Sequence, residues 1–277
     1  MMTTSQQPEL QALRNRFQQG GQGHVFKYWE SLSTDQQKAL LEQVKELDVD
    51  YINKICKQAL EGLAHAADPA QAVIEPLPEN CVGSTLTASP EQHEAWFQQG
   101  LKLIAQGKVA VILMAGGQGT RLGSALPKGC YDINLPSHSS LFQLQALRIR
   151  RLQALAAETY PEYAATAVIP WAIMTSGPTR ANTEAHFVQH QYFGLESRNV
   201  IFFNQGTLPC LSFDGKMLLE AKDKLAVAPD GNGGIYAALH RHNVIDSLKQ
   251  RGVTYVHSYC VDNCLVRVAD PVFIGYC

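Results

Sequence analysis

Gly116, Gly117 and Gly119, with Thr120, Arg121 and Lys128 behind them, are the residues whose types and spacing could most directly do chemistry. Glycine has no Cβ, so a ligand can approach the backbone closely, and it accepts positive φ. Successive N–H groups turned into one concavity make a nest for an anion. A hydroxyl at Thr120 and cations at Arg121 and Lys128 suit the phosphates of a nucleotide. Two commoner phosphate loops do not fit. The pattern G-x-G-x-x-G needs a third glycine where Leu122 stands, one place before Gly123. The P-loop needs G-K-[ST], but Lys128 precedes Gly129 and neither Ser nor Thr follows.

The elements that must position this loop are legible from pattern. Residues 109–115 form an unbroken apolar run, the habit of a strand buried on both faces of a parallel sheet. Further strands are expected at 167–174, 200–203 and 253–261, with helices between them. The helix starting near Leu141 would be capped by Ser139 or Ser140; its basic residues Arg148, Arg150 and Arg151 read as a solvated face. Ser89-Pro90 opens another helix, carrying Trp96 and Leu101 toward the central strand. Asp214-Gly215 marks a hairpin. Val266 and Val268 read as sheet residues, and Phe273 and Ile274 as core. Strands alternating with helices predict an α/β fold, an α/β/α sandwich on a mostly parallel sheet.

In such sheets ligands collect at the carboxyl ends of the strands. The remaining candidates fall there. Gln205 follows the third strand and Asp262 the last, while Asp230-Gly231-Asn232-Gly233-Gly234 forms a loop that opens a helix. Singly, each has a plainer reading: Gln205 a loop residue, Asn232 a turn residue, Asp262 a helix cap or ion-pair partner. Their convergence on one sheet edge favours a shared site. His257 with Cys260 and Cys264 could suggest a metal cluster, but thiols beside a loop are the simpler reading. His186 and His190 lack the glutamate of H-E-x-x-H.

The stretch MAGGQGTRLG followed by PKG resembles the glycine-loop signature of the eukaryotic-type UDP-sugar pyrophosphorylases. IPWAIMTS (169–176), NVIFFNQGTLP (199–209), FDGK (213–216), APDGNGGIY (228–236) and YCVDNCLVRVADPVFIG (259–275) are similar to the UDP-N-acetylglucosamine branch of that family. The likeness runs from about Gly20 to the last residue. It implies a Rossmann-like nucleotidyltransferase fold and the joining of UTP with N-acetylglucosamine 1-phosphate. It also implies roles. Met114, Ala115, Gly116 and Gly117 would line the uridine and triphosphate pocket, and Gln205 and Gly231 would read the uracil. Asn232 would contact the amino sugar, and Asp262 would hold Mg2+ (or Mn2+). Arg121 and Lys128 would neutralise phosphate and act in catalysis. The resemblance leaves two alternatives: a related enzyme acting on glucose or galactose 1-phosphate, and a non-catalytic UTP-binding remnant.

Composition excludes other classes. A net charge of −2 offers no electrostatic case for nucleic acid or an anionic membrane. There is no run of about 18 apolar residues, so no membrane span is expected, and MMTTSQQPEL has no apolar secretory core. Seven scattered cysteines without C-x-x-C read as reduced thiols of a cytoplasmic protein. Residues 8–65 read as helices, with Leu10, Leu13 and Phe17 on one face and a capping box at Ser33 and Gln36. Prolines 69, 76, 78 and 90 mark a linker. The expected division is therefore a helical N-terminal region and linker over 1–88, then a nucleotide-binding domain over 89–277. The family resemblance implies that this domain is incomplete at its C-terminal side.

Overall fold

The computed structural model describes residues 6–65 and 75–277. The helices are α1 (Gln6–Gln19), α2 (Thr34–Lys45), α3 (Val49–His65), α4 (Pro90–Ala105), α5 (Leu141–Thr159), α6 (Gly177–Gln189), α7 (Gly234–Arg241), α8 (Val244–Gln250) and α9 (Pro271–Tyr276). The strands are β1 (Val109–Met114), β2 (Trp171–Thr175), β3 (Val200–Asn204), β4 (Thr207–Pro209), β5 (Leu219–Ala221), β6 (Lys224–Leu225), β7 (Val227–Pro229) and β8 (Tyr255–Cys260).

Compactness does not divide the chain at residue 88. One unit takes in Met1–Pro76 with Thr207–Pro229, the other Leu77–Gly206 with Asp230–Cys277. The first unit reclaims a later segment through buried polar contacts. The Gln22 amide, almost wholly buried, donates to Gly215 O (2.7 Å) and accepts from Met217 N (2.9 Å), while His24 Nε2 bonds Met217 O (2.7 Å). A local sequence pattern does not register pairings so distant in the chain. Leu13, Phe17, Leu40 and Val44 form its core with Met217 and Leu225, as the helical spacing predicts for the first two. The Ser33–Gln36 capping box is present, with bonds of 3.0 and 3.3 Å. The expected hairpin is seen as a Leu211–Met217 bridge. Part of the expected linker, residues 66–74, lies outside the described residues.

The second unit is the sandwich. Its sheet has the order β3-β2-β1-β8, every pair parallel. Alternate residues of β1 face opposite layers. Val109, Val111 and Leu113 join Trp171, Phe142, Ile149, Phe187 and Ile104 on one face. Ala110 and Ile112 join Met174, Phe203, Ile235, Leu239 and Leu248 on the other. Each large apolar side chain so buried contributes roughly 1.5–3 kcal/mol. No helix among the described residues is long and apolar enough to cross a membrane.

Several local expectations change. The second strand begins at Trp171 rather than 167; Ile169 N is held instead by Gln153 Oε1 (2.9 Å). Trp96 does not reach the central strand. It packs edge-on to Tyr276 with centroids 5.2 Å apart, while Leu101 is buried in the core. Five residues of helix turn through about 500°, so the two cannot share a face. Val266 and Val268 are buried but lie in irregular and turn segments, not in a strand, and Phe273 is 49% exposed while Ile274 is buried. The helix α9 turns its small residue inward: Gly100 and Gly275 let α4 and α9 touch backbone to backbone, and a Cβ on either would collide with the other helix. The arginines of α5 are not merely solvated. Arg148 donates to Val266 O (2.9 Å) and Arg150 to Phe193 O (3.1 Å). Ser140, not Ser139, caps α5, accepting from Gln143 N at 3.2 Å.

Candidate functional site

Four parallel strands ending together make the site. Met114 stands level with Met174 on one side and Cys260 on the other, and Thr175 with Asn204. The chain therefore leaves β1, β2, β3 and β8 at a single edge. The first residues past β1 are still tied to the sheet. Met114 O accepts from Val261 N (3.1 Å), and Ala115 N donates to Met174 O (2.8 Å). These backbone groups are thus committed, and Met114 packs its side chain into one apolar layer. Met114 and Ala115 stay within the sheet, and Gly116 is the first residue free of the ladder.

The glycine loop folds back on itself. Gly119 N donates to Leu126 O (3.0 Å), and Lys128 N to Gly117 O (3.2 Å). This lays Lys128 along Gly117, where a Cβ would stand 3.4 Å from Lys128 Cδ. Gln205 reaches across from the end of β3. A Cβ on Gly116 would lie 2.5 Å from Gln205 Oε1, so only glycine lets the amide sit there. Lys128 Nζ meets Asp262 Oδ2 at 2.8 Å and closes the ring of contacts from the β8 side. Hence Gly116, Gly117, Lys128, Gln205 and Asp262 are brought together by direct contact.

Gly231 and Asn232 belong to an exposed loop tied to this edge by Asp230 N, which donates to Gly206 O (3.1 Å), next to Gln205. Gly231 has φ +76°, a conformation that glycine adopts at little cost. The side chain of Arg121 lies outside the described part of the structure; its backbone belongs to the 3-10 turn Thr120–Leu122. Two residues to which pattern reading gives no individual role also take part. Ser176 Oγ donates to Gly116 O at 2.7 Å. Asp230 sets its carboxylate against Gly206 and Gly234, with Oδ1 buried and lacking a hydrogen-bond partner. A serine just past a strand that borders the glycine-loop strand was the available signal.

The chemistry open to this arrangement is electrostatic. Lys128 sets a cation along the glycine loop, and Gln205 offers both a donor and an acceptor beside Gly116. A covalent cysteine is not indicated: burial pushes the Cys130 thiol up to about 11, so it stays protonated at neutral pH. His257 and the nearby cysteines do not form a metal cluster. Its Nδ1 accepts from Ala269 N (3.0 Å), and burial lowers its pKa, which keeps the ring neutral for that role. Among the described residues no three of His, Cys, Asp and Glu gather as a cage. A lone, largely exposed carboxylate at Asp262 fits the other mode, in which magnesium is shared between one carboxylate, waters and substrate phosphates.

The comparisons agree with this architecture. Over 268 residues the chain is 48% identical to UDP-N-acetylglucosamine diphosphorylase 2 of Arabidopsis thaliana, covering 96% of this chain and 53% of that protein. It is 45% identical over 270 residues to the human UDP-N-acetylhexosamine pyrophosphorylase-like protein 1, covering 96% and 53%. A crystal structure of the uridine diphosphate N-acetylglucosamine pyrophosphorylase from Trypanosoma brucei, in complex with inhibitor, superposes with a TM-score of 0.83 at 29% identity, covering 96% of this chain and 54% of that one. The chain spans about half the length of the curated relatives it matches. The model of the UDPGP family, UTP–glucose-1-phosphate uridylyltransferase, matches residues 51–277, and the chain belongs to that family.

Proposed function

We propose that this chain carries the nucleotide site of a uridylyltransferase forming UDP-N-acetylglucosamine and pyrophosphate from UTP and N-acetylglucosamine 1-phosphate. The observation that carries the reading is the meeting of Gln205, the glycine loop, Lys128 and Asp262 at one sheet edge. The relatives' names favour N-acetylglucosamine 1-phosphate as the second substrate. Unpaired cysteines suit a reducing, cytoplasmic setting.

The reaction needs little from the protein beyond placement and charge. A phosphate oxygen of the sugar 1-phosphate attacks the α-phosphorus of UTP, and the bond to the β-phosphate oxygen breaks. The nucleophile is already an anion, so no general base is required. Gln205, with the Gly231 backbone, pairs with the amide-like edge of uracil, and the N–H groups of Gly116 and Gly117 receive phosphate oxygens. Asn232 contacts the amino sugar. Lys128 and Arg121 offset the negative charge that accumulates as pyrophosphate departs. A magnesium or manganese ion held by Asp262 would neutralise the triphosphate further.

Titration calorimetry with UTP and ATP tests the reading, followed by turnover on a panel of sugar 1-phosphates. UTP is expected to bind at least tenfold more tightly than ATP. Equal affinities would overturn the uracil assignment, and a preference for glucose or galactose 1-phosphate would overturn the sugar.

A further inference from the structure

Ser176 follows the last residue of β2, the strand between those that deliver the glycine loop and Gln205. Its hydroxyl is nearly buried and has a single proton. Gly116 O, a carbonyl, can only accept, so that proton lies on the 2.7 Å bond from Ser176 Oγ to Gly116. With its own proton on Gly116, Ser176 Oγ can only accept at its 2.9 Å contact with Thr179 Oγ1, which in turn accepts from Ser176 N (3.0 Å) and lies 3.4 Å from Ser176 O. The chain of hydroxyls runs one way, from α6 to the glycine loop. The preceding residue faces the other loop. Gln205 N donates to Thr175 O (2.7 Å), and the one proton of Thr175 Oγ1 is shared between two acceptors, Asn204 Oδ1 (2.8 Å) and Phe203 O (3.1 Å). Ser33 and Ser89 start helices too, but their hydroxyls accept from the backbone of their own first turn.

We propose that Thr175 and Ser176 form a bracket that sets the separation of the phosphate-binding and uracil-reading loops, with the Ser176 hydroxyl as the positioning group for Gly116. The inference deepens the proposed uridylyltransferase reading and rests on it for the identity of the ligand. Fixing the Gly116 carbonyl fixes the peptide plane it shares with Gly117, and so aims the Gly117 N–H. Gln205 lies over the same glycine, so a Gly116 released from Ser176 would drift against the amide. The hydroxyl acts through the loop and touches neither reacting phosphate.

The test uses the full chain and two variants that delete the hydroxyl, Ser176→Ala and Ser176→Gly. Glycine is tolerated at a helix start, so the second variant guards against a failure of α6. Amide hydrogen exchange is measured without ligand, and UTP affinity by calorimetry. Exchange is expected to quicken at 116–119 but not within 181–189, and UTP affinity to fall about tenfold, the equivalent of about 1.4 kcal/mol. Thr179→Val keeps the bond to Gly116 and should lower the melting temperature while leaving UTP affinity within twofold. Unchanged loop exchange and unchanged UTP affinity in folded Ser176 variants would overturn the bracket and leave the uridylyltransferase reading intact. Quickened loop exchange in a protein that does not bind UTP even as wild type would support the bracket and overturn the ligand.

Discussion

The ammonium of Lys128 stands 2.8 Å from Oδ2 of Asp262, joining the loop after β1 to the loop after β8 across 134 residues of sequence. Lys128 is 24% exposed and Asp262 62%, so the pair is open to solvent and worth at most about 1 kcal/mol. A contact so weak can be exchanged. In the proposed site an incoming triphosphate would take the lysine, leaving the Asp262 carboxylate to hold a divalent cation.

Asp262→Asn separates these roles. It keeps the shape, removes the charge and frees Lys128. The melting temperature should move by no more than about 2–4 °C. UTP binding in EDTA should be equal to or tighter than wild type, because Lys128 loses its competitor. The gain in affinity on adding magnesium should largely disappear. An unaltered magnesium titration would show that Asp262 holds no metal.

Gly116→Ala tests the seat of the glutamine. The new Cβ would stand 2.5 Å from Gln205 Oε1, and the long side chain can swing away, so the fold survives while the amide is displaced. The preference for UTP over ATP should fall by about tenfold, the equivalent of about 1.4 kcal/mol. Gln205→Ala should do the same, and the double variant should be no worse than either alone, because both remove one interaction. Strictly additive losses would rule out the shared cause.

Gly129→Ala is expected to destabilise rather than merely weaken binding. Its Cβ would collide with the ring of Phe142, which is fully buried and packed edge-on to Phe187 with centroids 5.0 Å apart. Overpacking of this kind costs about 1–3 kcal/mol. Chemical denaturation should show a lower midpoint with an unchanged slope. A wild-type midpoint would mean that the loop yields without cost.

Acid should loosen the α5–α6 region through His186. Burial, with His190 nearby, lowers its pKa from 6.5 to about 4 in the folded chain. The unfolded chain therefore binds the extra proton first. Stability from this group is fully present above about pH 6.5 and is lost as the pH falls toward about 4. Thermal melts between pH 7 and 4.5 should show a decline of several degrees that is reduced in His186→Gln. An equal decline in the variant would assign the effect to other groups.

The glycine loop, the four parallel strands, the helix caps at Ser33 and Ser89, and Gln205 and Asp262 past the third and last strands could all be read from residue type and spacing. These features are local. Apolar runs dictate buried strands, and at a helix start a hydroxyl three residues before a glutamine satisfies free N–H groups. Three further features depend on partners distant in the chain. Thr207–Pro229 joined the helical unit because Gln22 pairs with Gly215 and Met217 far along the chain. Arg148 and Arg150 looked like surface charge but found carbonyl groups. Phe273 looked like core and is half exposed, because Gly275 faces α4 in its place.

The sequence by itself determined which residues could bind phosphate and base, since that depends on what a glycine, an amide, an ammonium or a carboxylate can do. Tertiary structure alone decided that Gln205 lies over Gly116, that Lys128 meets Asp262, and that Ser176 holds the Gly116 carbonyl. Those contacts exist because parallel strands distant in sequence end at the same level, and strand register is a property of the packed sheet rather than of any one segment.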